Sequence, residues 1–290
     1  MSDFADFKRK SRSSSNLDEL SKKIQATSEK KSYKDDRFWR PELDKASNGY
    51  AVIRFLPAPP NEDLPWAKLY SHGFQGKGGW FIENSRTTFG EKDPVSEMNS
   101  ELWNSGIESD KDIARARKRK LQYISNILVI SDPANPQNEG KIFLYKFGKK
   151  IFDKIQEAME PEFADEKAVN PFELWDGANF KLKVRKISGF INYDKSEFDS
   201  PSALFDGDDV QLEELWKKQY SLTAFTDPSN FKSYDELKQR LMDVVGDDIR
   251  SNDGTSAPTI QETSETLESK SESVAEETDA LDYFERLAKD

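Results

Sequence analysis

Positive charges and aromatic rings occur together in one stretch of the chain, residues 115–155. Between residues 115 and 154 there are ten Lys or Arg and three Asp or Glu, which gives a net charge of +7. Cations can follow a phosphate backbone while aromatic faces stack on unpaired bases. The combination predicts a binding site for a single-stranded nucleic acid. The alternative is that the rings fill a core and the charges cover a solvated face.

Two strands would position these side chains. Residues 123–130 and 142–147 are apolar runs separated by a turn rich in Pro, Asn and Gly, which is typical of connected strands. Side chains alternate between the faces of a strand, so Phe143, Tyr145 and Phe147 share one face while the other is mostly aliphatic. A face made only of rings predicts a stacking platform.

Further strands are predicted at residues 50–56, 66–74, 79–83 and 179–188, and helices at residues 149–159, 210–220 and 233–245. The pattern predicts a fold that is mainly β with peripheral helices, in the α+β class. Residues 75–78 are interpreted as a hairpin turn, because they lack the spacing of a phosphate-binding loop. Residues 84–114 are polar and weakly patterned, and we interpret them as a loop-rich insertion.

Two of these strands carry candidate cations. Residues 179–188 alternate apolar side chains with Lys181, Lys183 and Arg185. Arg54 lies in the first strand, where it either reaches a bound backbone or forms a surface salt bridge.

The net charge of −11 is unevenly distributed along the chain. Residues 246–290 contain thirteen acidic and four basic residues, a net of −9, so the remainder carries only −2. A local positive field can therefore still attract a polyanion. The acidic segment has too few large apolar residues to fold alone and is expected to be disordered. Its tip has Leu281, Phe284 and Leu287 at helical spacing, which predicts a partner-binding element.

Three regions follow from these patterns. Residues 1–28 form a basic arm with a short amphipathic helix, residues 29–245 the binding core, and residues 246–290 the acidic tail. The arm is interpreted as a docking element, and a frayed, merely solubilising terminus is the alternative.

Composition narrows the class of protein. The chain has no cysteine, which excludes disulfides and thiolate metal sites. It has neither an apolar run of about 20 residues nor an apolar secretory signal, so we expect a soluble, intracellular protein. If the protein were a metal-dependent nuclease or other hydrolase, the candidate metal ligands would be the carboxylates of Asp206, Asp208 and Asp209. They lack ligand spacing and are interpreted as loop or cap residues, so no enzyme is expected.

Several segments resemble, in order, the single-stranded DNA-binding, helix-destabilising proteins of T-even-type bacteriophages. Apart from residues 84–114 and 195–230, the resemblance covers nearly the whole chain. The segments are FKRKS at 7–11, NGYAVIRFLP at 48–57, HGF at 72–74, NILV at 126–129, DPANPQNEGKIFLYKFGKKIFDKI at 132–155, GANFKLKV at 177–184 and SGFINYD at 188–194.

The resemblance implies an OB-fold core whose groove binds DNA. Groove residues carried over from the family are Arg119, Tyr123, Tyr145, Lys146, Phe190 and Tyr193. The residue pattern adds Arg54, Lys118, Lys120, Phe147, Lys149, Lys183 and Arg185. The arm motif implied by the family, which mediates cooperative self-association along DNA, is Lys8, Arg9, Lys10 and Ser11.

The implied function is sequence-independent, cooperative binding of single-stranded DNA in phage DNA replication, recombination and repair. The acidic tail would contact replication proteins such as a polymerase, a helicase loader and a recombination mediator, at forks in the cytoplasm of the bacterial host. No membrane partner is expected. The alternative is an interaction adaptor of the replication machinery that binds DNA only weakly.

One departure from the family concerns a metal. The family's core usually holds a structural zinc through one His and three Cys. Here His72 matches the His, but Ser85, Pro94 and Ser96 occupy the neighbourhood of the missing ligands. One His without thiolates is not a structural zinc site. We predict no zinc and no other cofactor, with His72 as a hydrogen-bonded structural residue.

Without zinc, packing has to hold this region together. The candidates for that packing are Trp66, Trp80 and Phe89. A substitute metal site using Glu91 or Asp93 is the alternative. A second departure is Ile124, where the family has a tryptophan after the groove tyrosine, so the set of stacking rings is expected to differ.

Overall fold

Strand β5 (Lys120–Ser131) is the centre of the fold, because three other strands pair with it. The computed structural model describes residues 35–163 and 165–246, and from residue 37 onward these belong to one compact unit. β5 runs antiparallel to β2 (Gly49–Phe55), β3 (Ala67–Gly76) and β6 (Ile142–Phe147). Its first residues pair with β3 and its last residues with β2, which its length of 12 residues allows.

The other strands extend this sheet. β7 (Phe180–Ile187) pairs antiparallel with β2, and both β8 (Phe190–Asn192) and β9 (Glu197–Phe198) pair with β7. β4 (Gly79–Asn84) pairs with β3, and β1 (Phe38–Trp39) runs parallel to β6. The described residues therefore form a mixed sheet of nine strands. The predicted strands and the α+β class are confirmed.

Five α-helices accompany the sheet in the described ranges. They are α1 (Pro94–Asn104), α2 (Glu108–Ala116), α3 (Lys149–Met159), α4 (Asp209–Lys217) and α5 (Tyr234–Val245). The last three confirm the predicted helices to within a few residues. α5 begins with a capping box, in which the Ser233 hydroxyl and the Glu236 carboxylate each accept the other residue's backbone N–H. A helix with the length and apolar character of a membrane span does not occur in the described part of the chain.

The interpretation of residues 84–114 as a loop-rich insertion is wrong, because α1 and α2 lie there. The start of α1 is well specified: the Asp93 carboxylate accepts the backbone N–H groups of Val95 and Ser96 at 3.1 and 3.0 Å. Pro94 occupies the first turn, where its missing N–H has no cost. Within α1 only Pro94 and Val95 are buried, so the helix has almost no apolar stripe that a pattern could reveal.

The main hydrophobic core is built around the ring of Phe55 on β2. Five other rings have centroids within 6.5 Å of it: Tyr145, Phe147, Phe172, Phe180 and Phe198. Burying each such side chain contributes about 1.5–3 kcal/mol. Tyr145 and Phe147 therefore face the core, and the predicted stacking platform on their side of β6 is wrong. Alternation along β6 groups these rings correctly, but helices and neighbouring strands cover them.

The hairpin of β3 and β4 packs on α5. The rings of Phe74 and Phe81 stack at 5.1 Å with an interplanar angle of 11°, and they lie in one cluster with the apolar side of α5. The Gly-rich turn touches the end of this helix, where the Gly78 N–H donates to the Val244 carbonyl at 2.8 Å. A Cβ on Gly78 would lie only 1.9 Å from the Asp243 carbonyl oxygen. Glycine is required there by close approach, and the hairpin interpretation of residues 75–78 is confirmed.

The residues expected to replace zinc by packing are only partly in this region. Trp66 packs instead against Phe152 of α3, edge to face at 5.4 Å, and belongs to the main core. Phe89 packs against Phe231 in another cluster. Trp80 lies outside the cluster on α5. The prediction is wrong for Trp66 and Phe89, because the stacked rings of the hairpin and the apolar side of α5 supply the packing. For Trp80, which lies on β4 of the hairpin, it stays a prediction.

Candidate nucleic-acid interface

One face of the sheet connects the aromatic core with the solvent. Residues directly opposite each other in antiparallel strands point to the same side. Tyr70 of β3 lies opposite Leu121 of β5. Lys68 lies opposite Tyr123, which itself lies opposite Phe147 of β6. The face that carries Phe147 in the core therefore continues across β5 and reaches the solvent at β3.

At β3 this face ends in a ring with two cations, which we call the Tyr70 patch: Lys68, Tyr70 and Arg119. The guanidinium carbon of Arg119 lies 4.3 Å from the centroid of the Tyr70 ring, and Lys68 Nζ lies 5.6 Å from it. Both cations are exposed and the ring is half-buried. The patch combines cation–π contacts with positive charge, as sites for unpaired bases and their phosphates do. Lys118, which is exposed, and Lys120, which is half-buried, flank Arg119 along the chain.

Tyr123, which the sequence analysis assigns to base stacking, stacks on Phe152 of α3 instead. The two ring centroids are 3.9 Å apart with an interplanar angle of 2°. Only 6% of Tyr123 is exposed. Burial is the main cause that raises the pKa of its hydroxyl, and the neighbouring Tyr70 and Asp153 add to the effect. The expectation of an accessible ring at this position is wrong.

Three other predicted rings are buried as well, and one is exposed. Tyr145 contacts Trp39 edge to face at 5.5 Å, and Phe147 and Tyr193 belong to the same core cluster. Phe190 is 40% exposed. It follows a two-residue turn in which Ser188 and Gly189 both have positive φ, 52° and 92°, the geometry of a tight hairpin turn. The turn places Phe190 at the end of the β7–β8 hairpin.

Two predicted cations lie elsewhere. Lys146 is on the opposite side of β6 from Tyr145, and its Nζ lies 5.4 Å from the centroid of the Phe38 ring. Arg54 is fully buried, and its guanidinium donates to the backbone carbonyls of Ser202 and Glu173 at 2.8 and 3.0 Å. Arg54 does not reach the surface, so the prediction that it contacts bound DNA, or forms a surface salt bridge, is wrong. The position of Arg54 in the strand that precedes Pro57 gives no sign of this burial.

The cations of β7 form a second positive row, which we call the β7 ladder: Lys181, Lys183 and Arg185. Each is half-buried and each meets a carboxylate from the segment that follows β8. Lys181 Nζ lies 2.8 Å from Asp199 Oδ2, and Lys183 Nζ lies 2.7 Å from Glu197 Oε1. Arg185 forms a two-pronged pair with Asp194, with its Nε at 2.9 Å from Oδ1. The ladder is therefore positive in sequence but paired in the fold.

Helix α3 contacts Tyr123, which adjoins the Tyr70 patch on β5, and Asp194, which pairs with the β7 ladder. Through Phe152 it stacks on Tyr123, and the Nζ of Lys154 lies 3.4 Å from the Asp194 carbonyl oxygen. Lys149, a predicted contact residue, is exposed and forms an ion pair with Asp153 at 2.8 Å. The exposed face of α3 thus adds further cations beside the β7 ladder.

The residues around His72 do not fit a zinc ion. The imidazole is 2% exposed, with Nε2 at 3.1 Å from Asp93 Oδ1 and Nδ1 at 3.4 Å from the Arg117 carbonyl oxygen. The second oxygen of Asp93 accepts the Ser85 hydroxyl at 3.0 Å. Within the ranges that the structure describes, no three His, Cys, Asp or Glu side chains are grouped so that they could hold a metal. His72 is a hydrogen-bonded structural residue, as expected, and the absence of zinc stays a prediction.

The carboxylates considered for metal-dependent chemistry have structural positions. Asp208 caps α4, where its carboxylate accepts two backbone N–H groups at 2.9 and 3.3 Å. Asp209 is the first residue of that helix, and Asp206 lies in the turn before it. Glu91 forms an ion pair with Arg86. The interpretation of Asp208 as a cap residue is confirmed.

Seven predicted residues lie outside the described ranges. They are Lys8, Arg9, Lys10, Ser11, Leu281, Phe284 and Leu287.

Sequence reasoning missed the two residues that complete the Tyr70 patch and one cation of α3. Lys68 and Tyr70 are two residues apart on β3, so the sequence pattern does indicate that they share a face. Their contact with Arg119 depends on the register between β3 and β5. Lys154 lies on the helix predicted from its apolar stripe. Its position beside Asp194 depends on tertiary packing, so no local sequence pattern predicts it.

Comparisons with known proteins agree on one family. Residues 47–245 match the family described as gp32 DNA binding protein like. A single-stranded DNA-binding protein of Enterobacteria phage T2 is 42% identical over 221 residues, which cover 74% of this chain and 72% of that protein. A protein of the same name from Enterobacteria phage T4 is 39% identical over 267 residues, covering 89% of this chain and 84% of the relative.

Proposed function

Since the chain belongs to the gp32 DNA binding protein like family, we propose that it binds single-stranded DNA without reading base sequence. The observation that carries this proposal is the Tyr70 patch, where one ring and two cations meet at the open end of the aromatic sheet face. The names of the relatives describe a binding protein and no enzymatic activity.

Binding would combine two contributions. Lys and Arg replace the counterions of the phosphates, so affinity falls as salt rises, by about 0.7 in log–log slope per neutralised phosphate of a single strand. Each base stacked on a ring adds about 1–3 kcal/mol. Among the rings of the predicted groove and the Tyr70 patch, Tyr70 and Phe190 have solvent access for this role. Paired bases do not offer their faces, so single strands are preferred.

The buried rings have a different role in this proposal. Tyr123, Tyr145, Phe147 and Tyr193 are each more than nine-tenths buried, so a base stacks on them only where binding uncovers them. In the described arrangement they are part of the main hydrophobic core, and they hold the strands that carry the cations in position. Lys118, Lys120 and Lys149 contact the phosphate backbone of the DNA at the protein surface.

Finer points remain part of the proposal. We propose an OB-fold core, which is supported by β5 pairing with β2 at one end and with β3 at the other, as a strand shared by two parts of a closing sheet does. The basic arm would link neighbouring proteins along DNA, and the acidic tail would bind replication proteins in phage DNA replication, recombination and repair. The core would hold no zinc.

Titration of a labelled oligo-dT with the full-length protein over a salt series tests the proposal. We expect salt-dependent binding that a duplex of the same length does not match. Tyr70→Ala should weaken binding by about tenfold, from the loss of one stacked base, and Arg119→Ala should also reduce the salt slope by about 0.7. Lys217→Ala is the control, because Lys217 lies on α4 and pairs with its own helix neighbour Glu213.

The outcomes separate the two candidate functions. Absence of salt-dependent binding to oligo-dT would refute the DNA-binding proposal. Weak binding that is indifferent to Tyr70→Ala and Arg119→Ala would favour the adaptor alternative.

A further inference from the structure

The β7 ladder is a regular row of positive charge. Lys181, Lys183 and Arg185 are two residues apart on one strand, so their side chains leave the same face. Two residues of a strand advance about 6.6 Å. Such a row is suited to a polymer with regularly spaced negative charges, because successive phosphates can meet successive cations.

In the fold, a matching row of carboxylates already meets these cations. Asp199 pairs with Lys181, Glu197 with Lys183, and Asp194 with Arg185. The ladder and its partners carry no net charge together. The pairing also lowers the pKa of Asp194, Glu197 and Asp199, each through the hydrogen bond from its cation first.

The carboxylates are held in place by the backbone. β9 pairs with β7 through Lys181 opposite Glu197, and the Asp199 N–H donates to the Asn179 carbonyl at 2.8 Å. Ser196 is 2% exposed, and its hydroxyl accepts the Lys183 N–H at 2.9 Å and donates to the Lys183 carbonyl at 3.1 Å. The row of acids is therefore built into the fold and does not depend on chance side-chain encounters.

The pairs themselves are exchangeable. All six charged side chains are between 33% and 59% exposed, and ion pairs at such positions are weak because water competes for both partners. Phosphate oxygens form strong charge-assisted hydrogen bonds with the same cations. Exchange of carboxylate for phosphate therefore requires no unfolding of β7 or β9.

We propose that Asp194, Glu197 and Asp199 are an internal mimic of a phosphate backbone that covers the β7 ladder until a single DNA strand displaces it. This inference rests on the proposed function and adds a built-in competitor to it. The carboxylates lower the affinity of the ladder and restrict its use to ligands that supply several phosphates in a row.

Neutral replacements of two carboxylates test the proposal. In the full-length protein, the double substitution Asp194→Asn and Glu197→Gln keeps side-chain size but removes both charges. We expect tighter binding to oligo-dT, by about two- to tenfold at moderate salt. The log–log salt slope should steepen by about 0.7 for each phosphate newly contacted.

A matched control separates this local effect from the change in net charge. Glu213→Gln with Glu214→Gln also removes two carboxylates, both from exposed ion pairs, with Lys217 and Lys218 of α4. Equal affinity of the two double variants would overturn the proposal, because general charge would then explain the gain. Weaker binding of the Asp194/Glu197 variant would also overturn it, since the acids would then serve to orient the cations.

A second comparison applies if the double variant folds poorly. Lys183→Ala should reduce affinity less in the wild-type chain than in a Glu197→Gln chain, where the lysine is uncovered. Equal losses in both backgrounds would contradict the mimic. Failure of the wild-type protein to bind oligo-dT refutes the proposed function itself, which is a separate result.

Discussion

The imidazole Nε2 of His72 lies 3.1 Å from Oδ1 of Asp93, and both side chains are buried. The same carboxylate caps α1 and accepts the Ser85 hydroxyl. The pair thus joins β3 to the start of a helix. The resemblance described in the sequence analysis implies a zinc ligand at this position, whereas His72 of this chain forms hydrogen bonds there.

The first prediction follows from that pair. Treatment with a strong chelator should leave the thermal midpoint of unfolding unchanged. Asp93→Asn should lower the free energy of unfolding by about 1–3 kcal/mol, because a buried hydrogen-bond partner is lost and the helix cap is weakened. Metal analysis provides the independent check, and stoichiometric zinc in purified protein would contradict the prediction.

The second prediction concerns acid. Burial alone would raise the pKa of Asp93, but hydrogen bonds from His72, Ser85 and the Ser96 backbone outweigh it and lower the pKa to about 2. The folded pKa is below the unfolded value of about 3.9, so the stabilisation is complete above that value and is lost as pH falls toward 2. The lost stabilisation amounts to about 2–3 kcal/mol. Urea unfolding between pH 6 and pH 2 should show this loss, and the Asp93→Asn protein should lack it.

The third prediction concerns Arg54. Arg54→Lys should reduce the free energy of unfolding by about 2–5 kcal/mol, because the shorter lysine has a single nitrogen and cannot reach the Ser202 and Glu173 carbonyls together with the Asn179 amide oxygen. Urea unfolding measures the effect. Arg115→Lys, on an exposed face of α2, is the matched control and should change stability by less than about 0.5 kcal/mol. Equal effects would indicate that Arg54 is not a buried anchor.

The fourth prediction separates core from contact at Tyr145. Because the side chain is 3% exposed, Tyr145→Ala should destabilise the fold by about 3–5 kcal/mol. Tyr145→Phe keeps the ring in the core, so this variant should retain most of the stability that the alanine variant loses. If stability of the alanine protein were close to wild type while DNA binding fell, the ring would be a contact residue rather than a core residue.

The fifth prediction compares two glycines: Gly78, in the turn between β3 and β4, and Gly73, within β3. Gly78→Ala should lower the thermal midpoint, since its Cβ would lie 1.9 Å from a backbone oxygen of α5. Gly73→Ala is the control, because a Cβ there has no atom within 4 Å. A calorimetric scan of both proteins checks the difference, and equal midpoints would contradict the close packing of the turn.

Local patterns predicted the elements well and their environment poorly. Alternation along β7 correctly placed Lys181, Lys183 and Arg185 on one face. Their carboxylate partners lie nine or more residues further along the chain, so only the folded chain brings them together. Alternation along β6 likewise grouped Tyr145 with Phe147 but did not reveal that Phe55 covers both. Periodicity reports which residues share a side, whereas burial depends on what packs against that side.

The end of α5 has a further consequence for the limits of the foldable unit. Val244 and Val245 are buried, and the Val244 carbonyl holds the hairpin turn through Gly78. Gly246 then ends the helix with a positive φ of 73°. A shortened version of the protein that stops before residue 244 would remove part of the support of the hairpin. Fragments cut just after this glycine should survive proteases, whereas fragments cut a turn earlier should not.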